Sequence, residues 1–550
     1  MSKKLRERVD ELLSRERGTV FKDPGGKITV ALVFPNTYHV GMSNLGFQGI
    51  YGLLNSMDDV VCERAFLPDE QDIGEYLRTG TELFSMESKR ALCRFDIVAF
   101  SVSFENDYPN ILRILDLGNI PAASALRKRR HPLVVMGGAC AFFNPEPVAD
   151  IFDICFIGEA DELLGEFLAR YRAAQGKEDV LVSAQSLEGV YIPSRYRIEY
   201  GQDGRIRKRI ATAGAPDTIR RRYVADLSRV SAKMSIVTPD TEFSDMYLVE
   251  AMRGCPWRCR FCVASRIYHP PRMRHLDEVV REIGGALAAT DRVGLIGPSL
   301  TDYPYVHDIL RIPGVNFSVT SLRAGEKACE LSPLMAGHRS VSIAPEAGTD
   351  RLRKVINKKM SEEDILRTAQ ALFGHGVENL RLYFMVGLPA ETREDVAGIV
   401  DLTEKIRASS AKGILTLSVS TFVPKPFTPF QWHPMEKIAE VKERLTMIKK
   451  ALAHRRGIRV FHDVPKYAYL QGLLSRGDRR VLPLLSKMRP GEDWRKAAAA
   501  AGVDIDFYIF RERDTDEILP WDFIDMGVAR EQLWREYREA VPPRDPGNEV

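Results

Sequence analysis

From residue 20 to about 178, short apolar runs alternate with stretches whose apolar residues recur at helical spacing. Ile28–Pro35 (ITVALVFP), Asp96–Ser103 (DIVAFSVS), Pro132–Gly137 (PLVVMG) and Asp153–Gly158 (DICFIG) each read as a buried strand. Helical patterns follow at about Gly46–Asn55, from about Tyr108 and at about Glu162–Arg172, while Gly138–Pro147 reads as a loop. Such alternation predicts a parallel, doubly wound sheet. Ligands of these sheets sit at the carboxyl ends of the strands. Ser101, Ser103, Glu105, Gly137, Gly138, Gly158 and Glu159 gather at those ends. Residues 1–19 form a charged helical pattern with Leu5, Val9, Leu12 and Leu13 on one face, expected to lie solvated at the terminus.

The pattern changes at 179–245. Short strands, broken by turn residues and by basic runs such as Arg220–Arg222, predict a linking segment with a hairpin around Asp203-Gly204. From 246 the alternation resumes. Strands are expected at Met246–Met252, Arg292–Ile296, Asn316–Ser321, Arg339–Ile343, Asn379–Met385 and Thr416–Phe422. The clearest intervening helix runs from Ser361, as N-cap with Asp364 three residues on, to Phe373. Six such units are too few for an eightfold barrel. They predict a partial (β/α)6 barrel over 246–435, with a mostly helical region at 436–550. The expected class is α/β: a Rossmann-like domain at 20–178, the partial barrel, and the helical C-terminal region.

Composition narrows the function little. The 550 residues suggest two to four domains, and 45% hydrophobic with 28% charged residues is an ordinary globular balance. A net charge of +3 argues against wholesale coating of nucleic acid. No apolar run approaches about 18 residues, so no membrane span is expected. Residues 1–20 lack a signal peptide's apolar stretch, and the expected location is the cytoplasm. Of eight cysteines, Cys62, Cys93, Cys140, Cys155 and Cys329 are scattered and read mostly as small buried residues. The other three fall within eight residues, in MRGCPWRCRFC, directly after an expected strand.

Cys255, Cys259 and Cys262 have the spacing C-x3-C-x2-C. Thiolates are the usual ligands of iron–sulfur clusters, and a cubane normally takes four. Three leave one iron open, able to chelate the amino and carboxylate groups of S-adenosylmethionine (SAM). Zinc on these cysteines and His269 is the alternative. On this motif the chain resembles the radical SAM superfamily, over about 246–435. The resemblance implies a 4Fe–4S cluster on the three cysteines, a 5′-deoxyadenosyl radical made from SAM, and an external one-electron reductant of flavodoxin or ferredoxin type. It also implies SAM contacts. Phe261 resembles the adenine-contacting aromatic. Gly297–Tyr303 (GPSLTDY) stands where the family binds the SAM amino group; it departs from the common Gly-Gly-Glu, leaving backbone carbonyls and Ser299. Ser321 and Arg323 end the third strand, with Arg323 first choice for the SAM carboxylate. Glu346, in Ala344–Gly348, resembles the polar residue near the SAM ribose or amine. Gly387, in Met385–Pro389, stands where the backbone packs on adenine.

A doubly wound domain ahead of this barrel resembles the cobalamin-binding radical SAM class. The resemblance rests on Gly137–Ala139 through Pro145–Pro147, followed by Gly158-Glu159, and implies that Ser101 and Ser103 bond cobalamin's nucleotide tail. The chain has no Asp-x-His-x-x-Gly, and Tyr38-His39-Val40-Gly41 lacks that pattern, so no cobalt-ligating histidine is expected. At finer grain, Tyr38–Gly46, Arg253–Cys262, Phe422–Trp432 and Leu519–Phe523 resemble an uncharacterised radical SAM family of this architecture. Three functions stay open: a cobalamin-dependent methyltransferase, a cobalamin-free radical enzyme acting on RNA or protein such as a methylthiotransferase, and a non-catalytic iron–sulfur docking protein. Two features bear on the substrate. Residues 252–275 hold six arginines and no acid, either an anion-attracting loop or a set of salt bridges. Phe422–Trp432 is either a substrate-mouth lining or a packed connector.

Overall fold

The computed structural model describes residues 2–231, 234–319, 321–410, 412–489 and 491–542. Thr320, in the expected strand Asn316–Ser321, lies outside them. So do residues 232–233 of the expected linking segment, and 490 and 543–550 of the expected helical region.

Six strands build the first sheet: β1 (Ile28–Phe34), β2 (Val60–Phe66), β3 (Ile97–Ser101), β4 (Leu133–Gly137), β5 (Ile154–Phe156) and β6 (Val190–Tyr191). Their order is β2-β1-β3-β4-β5-β6, parallel except for the antiparallel edge β6. Val30–Phe34 are all buried, as a parallel sheet covered on both faces requires. β2 was not expected, because its centre carries Glu63 and Arg64. Both are buried: Arg64 is fully enclosed, 2.7 Å from Glu16 on one side and 2.7 Å from Glu87 on the other. Glu16 follows helix α1 (Lys3–Ser14), whose Leu5 is 2% exposed. The terminal segment expected to be solvated is therefore held down by a buried ion triad. Helices α2 (Leu45–Ser56) and α3 (Ala160–Ala173) cover one face of the sheet, sharing a hydrophobic cluster with β1 and β5. The expected loop Gly138–Pro147 instead holds a short helix at Ala139–Phe143.

The hairpin around Asp203-Gly204 forms, pairing Tyr196–Tyr200 with Ile206–Ala211. Beyond it the chain builds an open arc of parallel strands. β7 (Tyr247–Glu250), β8 (Arg292–Ile296) and β9 (Asn316–Val319) make one sheet. β10 (Ser340–Glu346), β11 (Asn379–Val386), β12 (Ile414–Thr421) and β13 (Ile458–His462) make the next. A parallel bridge between Leu322 and Ile343 joins the two. The six strands expected are therefore seven, because β13, from the region expected to be mostly helical, adds to the edge. Ser361 caps its helix through a capping box with Asp364.

Phe422–Trp432 is a packed connector. Phe430 and Trp432 are fully buried, and Trp432 meets Trp534 with ring centroids 5.2 Å apart. Gln431 accepts from the Trp521 indole at 2.8 Å and from the Phe427 amide at 3.0 Å.

Candidate radical and cofactor site

The three cysteines lie on the loop after the short strand Met252–Arg253, which pairs with Arg272–Met273. Cys262 precedes the helical turn Ala264–Ile267. Burial pushes its thiol up, while the amides of Ser265 and Ala264 point at the sulfur and pull the other way. Burial also raises Cys255, opposed by the Trp257 amide, and pushes Cys259 up to about 11 against the Lys358 charge. The charge of Cys262 raises both other thiols, which places the three near one another. Among the described residues, no three His, Cys, Asp or Glu side chains converge as ligands of a single metal ion would. Amides aimed at thiolate sulfur are the kind of support that iron–sulfur ligands receive.

Arg323 belongs to this group. Its guanidinium lies over the Trp257 ring at 3.6 Å and donates to the Lys359 carbonyl. Its own amide donates to Thr301 Oγ1 at 2.9 Å. Burial lowers its basicity, opposed by the nearby Cys259, Asp302 and Cys255. Glu346 sits at a register shift in β10 with φ of 67°, a conformation that non-glycine residues adopt rarely. Its carboxylate meets Lys358 at 3.1 Å; burial raises it, against the Lys358 charge. Phe261 is half-buried against the core. Ser299 donates to Asp302 at 2.8 Å, so its hydroxyl is already partnered. Ser321 is exposed. Gly387, with φ of 82°, gives its amide to Glu391 at 2.7 Å, at the end of β11. The sequence pattern gave no role to Asp302, Trp257 or Lys358: Trp257 lies inside the cysteine motif itself, while Asp302 and Lys358 reach the thiols from two other loops.

A cavity of about 810 Å³ runs between the two sheet systems, at the upper end of ligand-site sizes. One end is an apolar slot between strands β1, β3 and β4 and helices α2 and α3, lined by Leu32, Ala99, Val135, Ile50 and Leu164. The other reaches Glu250, Arg253 and Gly254, the residue before Cys255. Ser101, Ser103, Gly137, Gly138, Gly158 and Glu159 all line it. Their roles differ. A Cβ on Gly137 would meet nothing within 4 Å, so this glycine opens onto the cavity. Gly138 and Gly158 have positive φ and press on backbone, of Val102 and Arg222 respectively, so the chain path already accounts for them. Glu159 bonds Arg272 at 2.7 Å, Arg253 at 2.9 Å and the Val224 amide at 2.8 Å. Burial pushes its carboxyl up, but these partners outweigh that and hold it below the usual range. Glu105 is outside the lining; it pairs with Lys425 and accepts from Gln471 at 3.0 Å. His39 is exposed near Glu242, also outside the lining.

Five of the six arginines in 252–275 are in salt bridges: Arg253, Arg260, Arg266, Arg272 and Arg274. Cys62 is buried on one face of the first sheet, Cys140 and Cys155 on the other, so they form no second triad. No helix among the described residues is long and apolar enough to cross a membrane.

The family model for the radical SAM superfamily matches residues 249–403, and that for the N-terminal region of radical SAM proteins matches 46–193. An uncharacterised protein of Methanocaldococcus jannaschii is 30% identical over 461 residues, 82% of this chain and 89% of the relative. A tRNA-2-methylthio-N(6)-dimethylallyladenosine synthase of Deinococcus radiodurans is 26% identical over 275 residues, 46% of this chain and 53% of that one. Among solved structures, the cobalamin-dependent SAM radical enzyme OxsB with aqua-cobalamin bound shares the fold. Its TM-score is 0.51 at 12% identity, over 94% of this chain and 79% of that one.

Proposed function

Because this chain belongs to the radical SAM superfamily, we propose that it holds a 4Fe–4S cluster on Cys255, Cys259 and Cys262, cleaves SAM with it, and transfers a methyl group with the help of cobalamin. The observation that carries the reading is one continuous cavity, from an apolar slot in the first sheet to the residue before Cys255.

When bound, the cluster supplies the electron that breaks a sulfonium C–S bond of SAM. The side chains around it do the rest. Arg323, flat against Trp257 and tied to the Lys359 carbonyl, offers a fork for the SAM carboxylate. Glu346, steadied by Lys358, faces the same space and can accept from the SAM amine or ribose. The amides of Trp257, Ala264 and Ser265 stabilise charge on the thiolates.

The slot fits a large cofactor with an apolar tail. Gly137 and Gly49 would each carry a Cβ into open space, and Ser101 and Ser103 line the same wall. When bound, cobalamin supplies a carrier for a methyl group. With His39 outside the cavity, the corrin would be held by its periphery rather than by a protein ligand to cobalt. Burial of Cys62, Cys140 and Cys155 on opposite sheet faces speaks against methylthio transfer, which would call for a second cysteine triad.

The test is metal content after anaerobic reconstitution with iron, sulfide and cobalamin. About four irons, the content of one cubane, with one cobalt per chain is expected. Four irons without cobalt would turn the N-terminal unit into a docking module and remove methyl transfer. Cys255→Ala, Cys259→Ala and Cys262→Ala should each abolish 5′-deoxyadenosine formation; turnover retained by any one of them contradicts the cluster assignment.

A further inference from the structure

Among the described residues, the outer face of the cysteine loop carries cations outside ion pairs. Arg258 stands between Cys255 and Cys259 and is exposed, the one arginine of 252–275 outside a salt bridge among the described residues. Segment 354–359 lies against it. The Arg260 amide donates to the Ile356 carbonyl at 2.9 Å, its guanidinium to the Val355 carbonyl at 2.8 Å, and the Asn357 amide group to the Arg258 carbonyl at 2.8 Å. Lys354 and Lys359 project from this segment into solvent. Among the described residues, no carboxylate lies within ion-pair distance of Arg258, Lys354 or Lys359. The neighbouring acids are engaged elsewhere: Glu539 by Arg260 at 2.7 Å, Asp350 by Arg353 at 2.8 Å, and Glu346 by Lys358 at 3.1 Å.

On this loop and the segment against it, Arg258, Lys354 and Lys359 are the cations outside ion pairs among the described residues. Elsewhere in the same loop the arginines are matched to acids. Unmatched surface charge steers an oppositely charged partner and speeds encounter. The loop beneath it holds the thiols, and Lys359 also positions Arg323 through its carbonyl.

We propose that Arg258, Lys354 and Lys359 form the docking face for a small acidic one-electron carrier protein. The proposal rests on the cluster reading given above. With a cluster held by the three cysteines, the reduced carrier would give up one electron, SAM would take it up, and its C5′–S bond would break. The products are methionine and the 5′-deoxyadenosyl radical; no proton is needed.

The experiment uses reconstituted holoenzyme and two reductants: dithionite, and a purified flavodoxin kept reduced by NADPH and its reductase. In the double variant Arg258→Glu/Lys354→Glu, which leaves the Lys359 support of Arg323 untouched, iron content and dithionite-driven 5′-deoxyadenosine formation should match the parent. Flavodoxin-driven formation at limiting flavodoxin should fall by about tenfold or more. The parent's flavodoxin-driven rate should also fall with added salt, and the variant's should not. The double variant Arg258→Gln/Lys354→Gln should show a smaller loss, and it replaces the reversal if that protein loses iron. Unchanged flavodoxin-driven rates and salt dependence overturn the docking face. So does a variant that keeps its flavodoxin rate but loses retention of total tRNA on a filter, which would make the face an RNA contact. Failure of the parent itself to cleave SAM with dithionite is a different result: it removes the cluster reading and the docking face with it.

Discussion

At the scale of single residues, the most exposed part of the reading is Arg323. An arginine stacked on an indole at 3.6 Å is held by cation–π attraction and presents a planar fork, which a lysine cannot reproduce. A charge-assisted hydrogen bond contributes about 1.5–3 kcal/mol. Arg323→Ala should therefore raise the SAM dissociation constant by about tenfold or more, with iron content unchanged, in equilibrium binding to reconstituted protein. Equal affinity would move the carboxylate contact elsewhere. The three cysteines were legible because a single loop supplies all of them and their spacing survives in one line of sequence. Asp302 and Lys358 were not, since each comes from another loop and meets the cysteines only in the fold; Trp257 stands inside the motif, but only the fold shows Arg323 stacked on it. Glu105 and Glu159 show what a strand-end signal leaves out. Polar residues at strand ends look like ligand contacts, but a buried carboxylate must have a partner, and theirs stand 320 residues away at Lys425 and 113 away at Arg272.

Elements were read where pattern and burial agree. β1, β3, β4 and β5 are short apolar runs, and nothing in a parallel sheet contradicts that signal. β2 breaks it: VVCERAF carries a glutamate and an arginine on buried faces, Arg64 matched by Glu16 and Glu87 and Glu63 by the hydroxyls of Ser85 and Ser88. β13 reads IRVFH, too short and too polar to stand out, and its place is set by pairing with β12. Helix α2 carries a further message at this scale. Its glycines weaken it as a helix, yet Gly49 meets no neighbour within 4 Å and faces the cavity. Open space beside a helix is what a tail inserted between helix and sheet would need. Gly49→Phe should cut retained cobalt at least severalfold after reconstitution while leaving iron and dithionite-driven SAM cleavage intact. Full cobalt retention would mean that the slot is not where cobalamin sits.

At the scale of the whole molecule, the first sheet and the C-terminal region are joined by buried polar contacts. Asn144 donates to the carbonyls of Ser475 and Gly477 at 3.0 and 2.9 Å, Arg479 meets Glu146 at 3.1 Å, and Glu105 takes Lys425 and Gln471. Asp107 lies beside Glu105 in this junction and has no cation of its own among the described residues; its hydrogen-bond donor is Asn36, at 2.8 Å. Burial raises Asp107 to about 7, the charge of Glu105 adds to the effect, and the Asn36 bond opposes it. An unfolded aspartate titrates near about 3.9. The folded chain therefore binds this proton more tightly than the unfolded chain. Its contribution to stability is complete below about pH 4 and is lost as pH rises through about 7. Asp107→Asn keeps an acceptor for Asn36 and removes the titration. Its melting temperature should exceed the parent's above pH 7, with the difference shrinking as pH falls from 7 towards 4. The carboxyls of Glu16, Glu146 and Glu159 are shifted downward and impose the opposite slope at lower pH, but they are common to both proteins and cancel in the comparison. A difference that stays constant across this range would show Asp107 ionised in the folded chain. The junction would then hold two negative charges against the single lysine at position 425, and solvent would have to reach it to keep the unpaired one there.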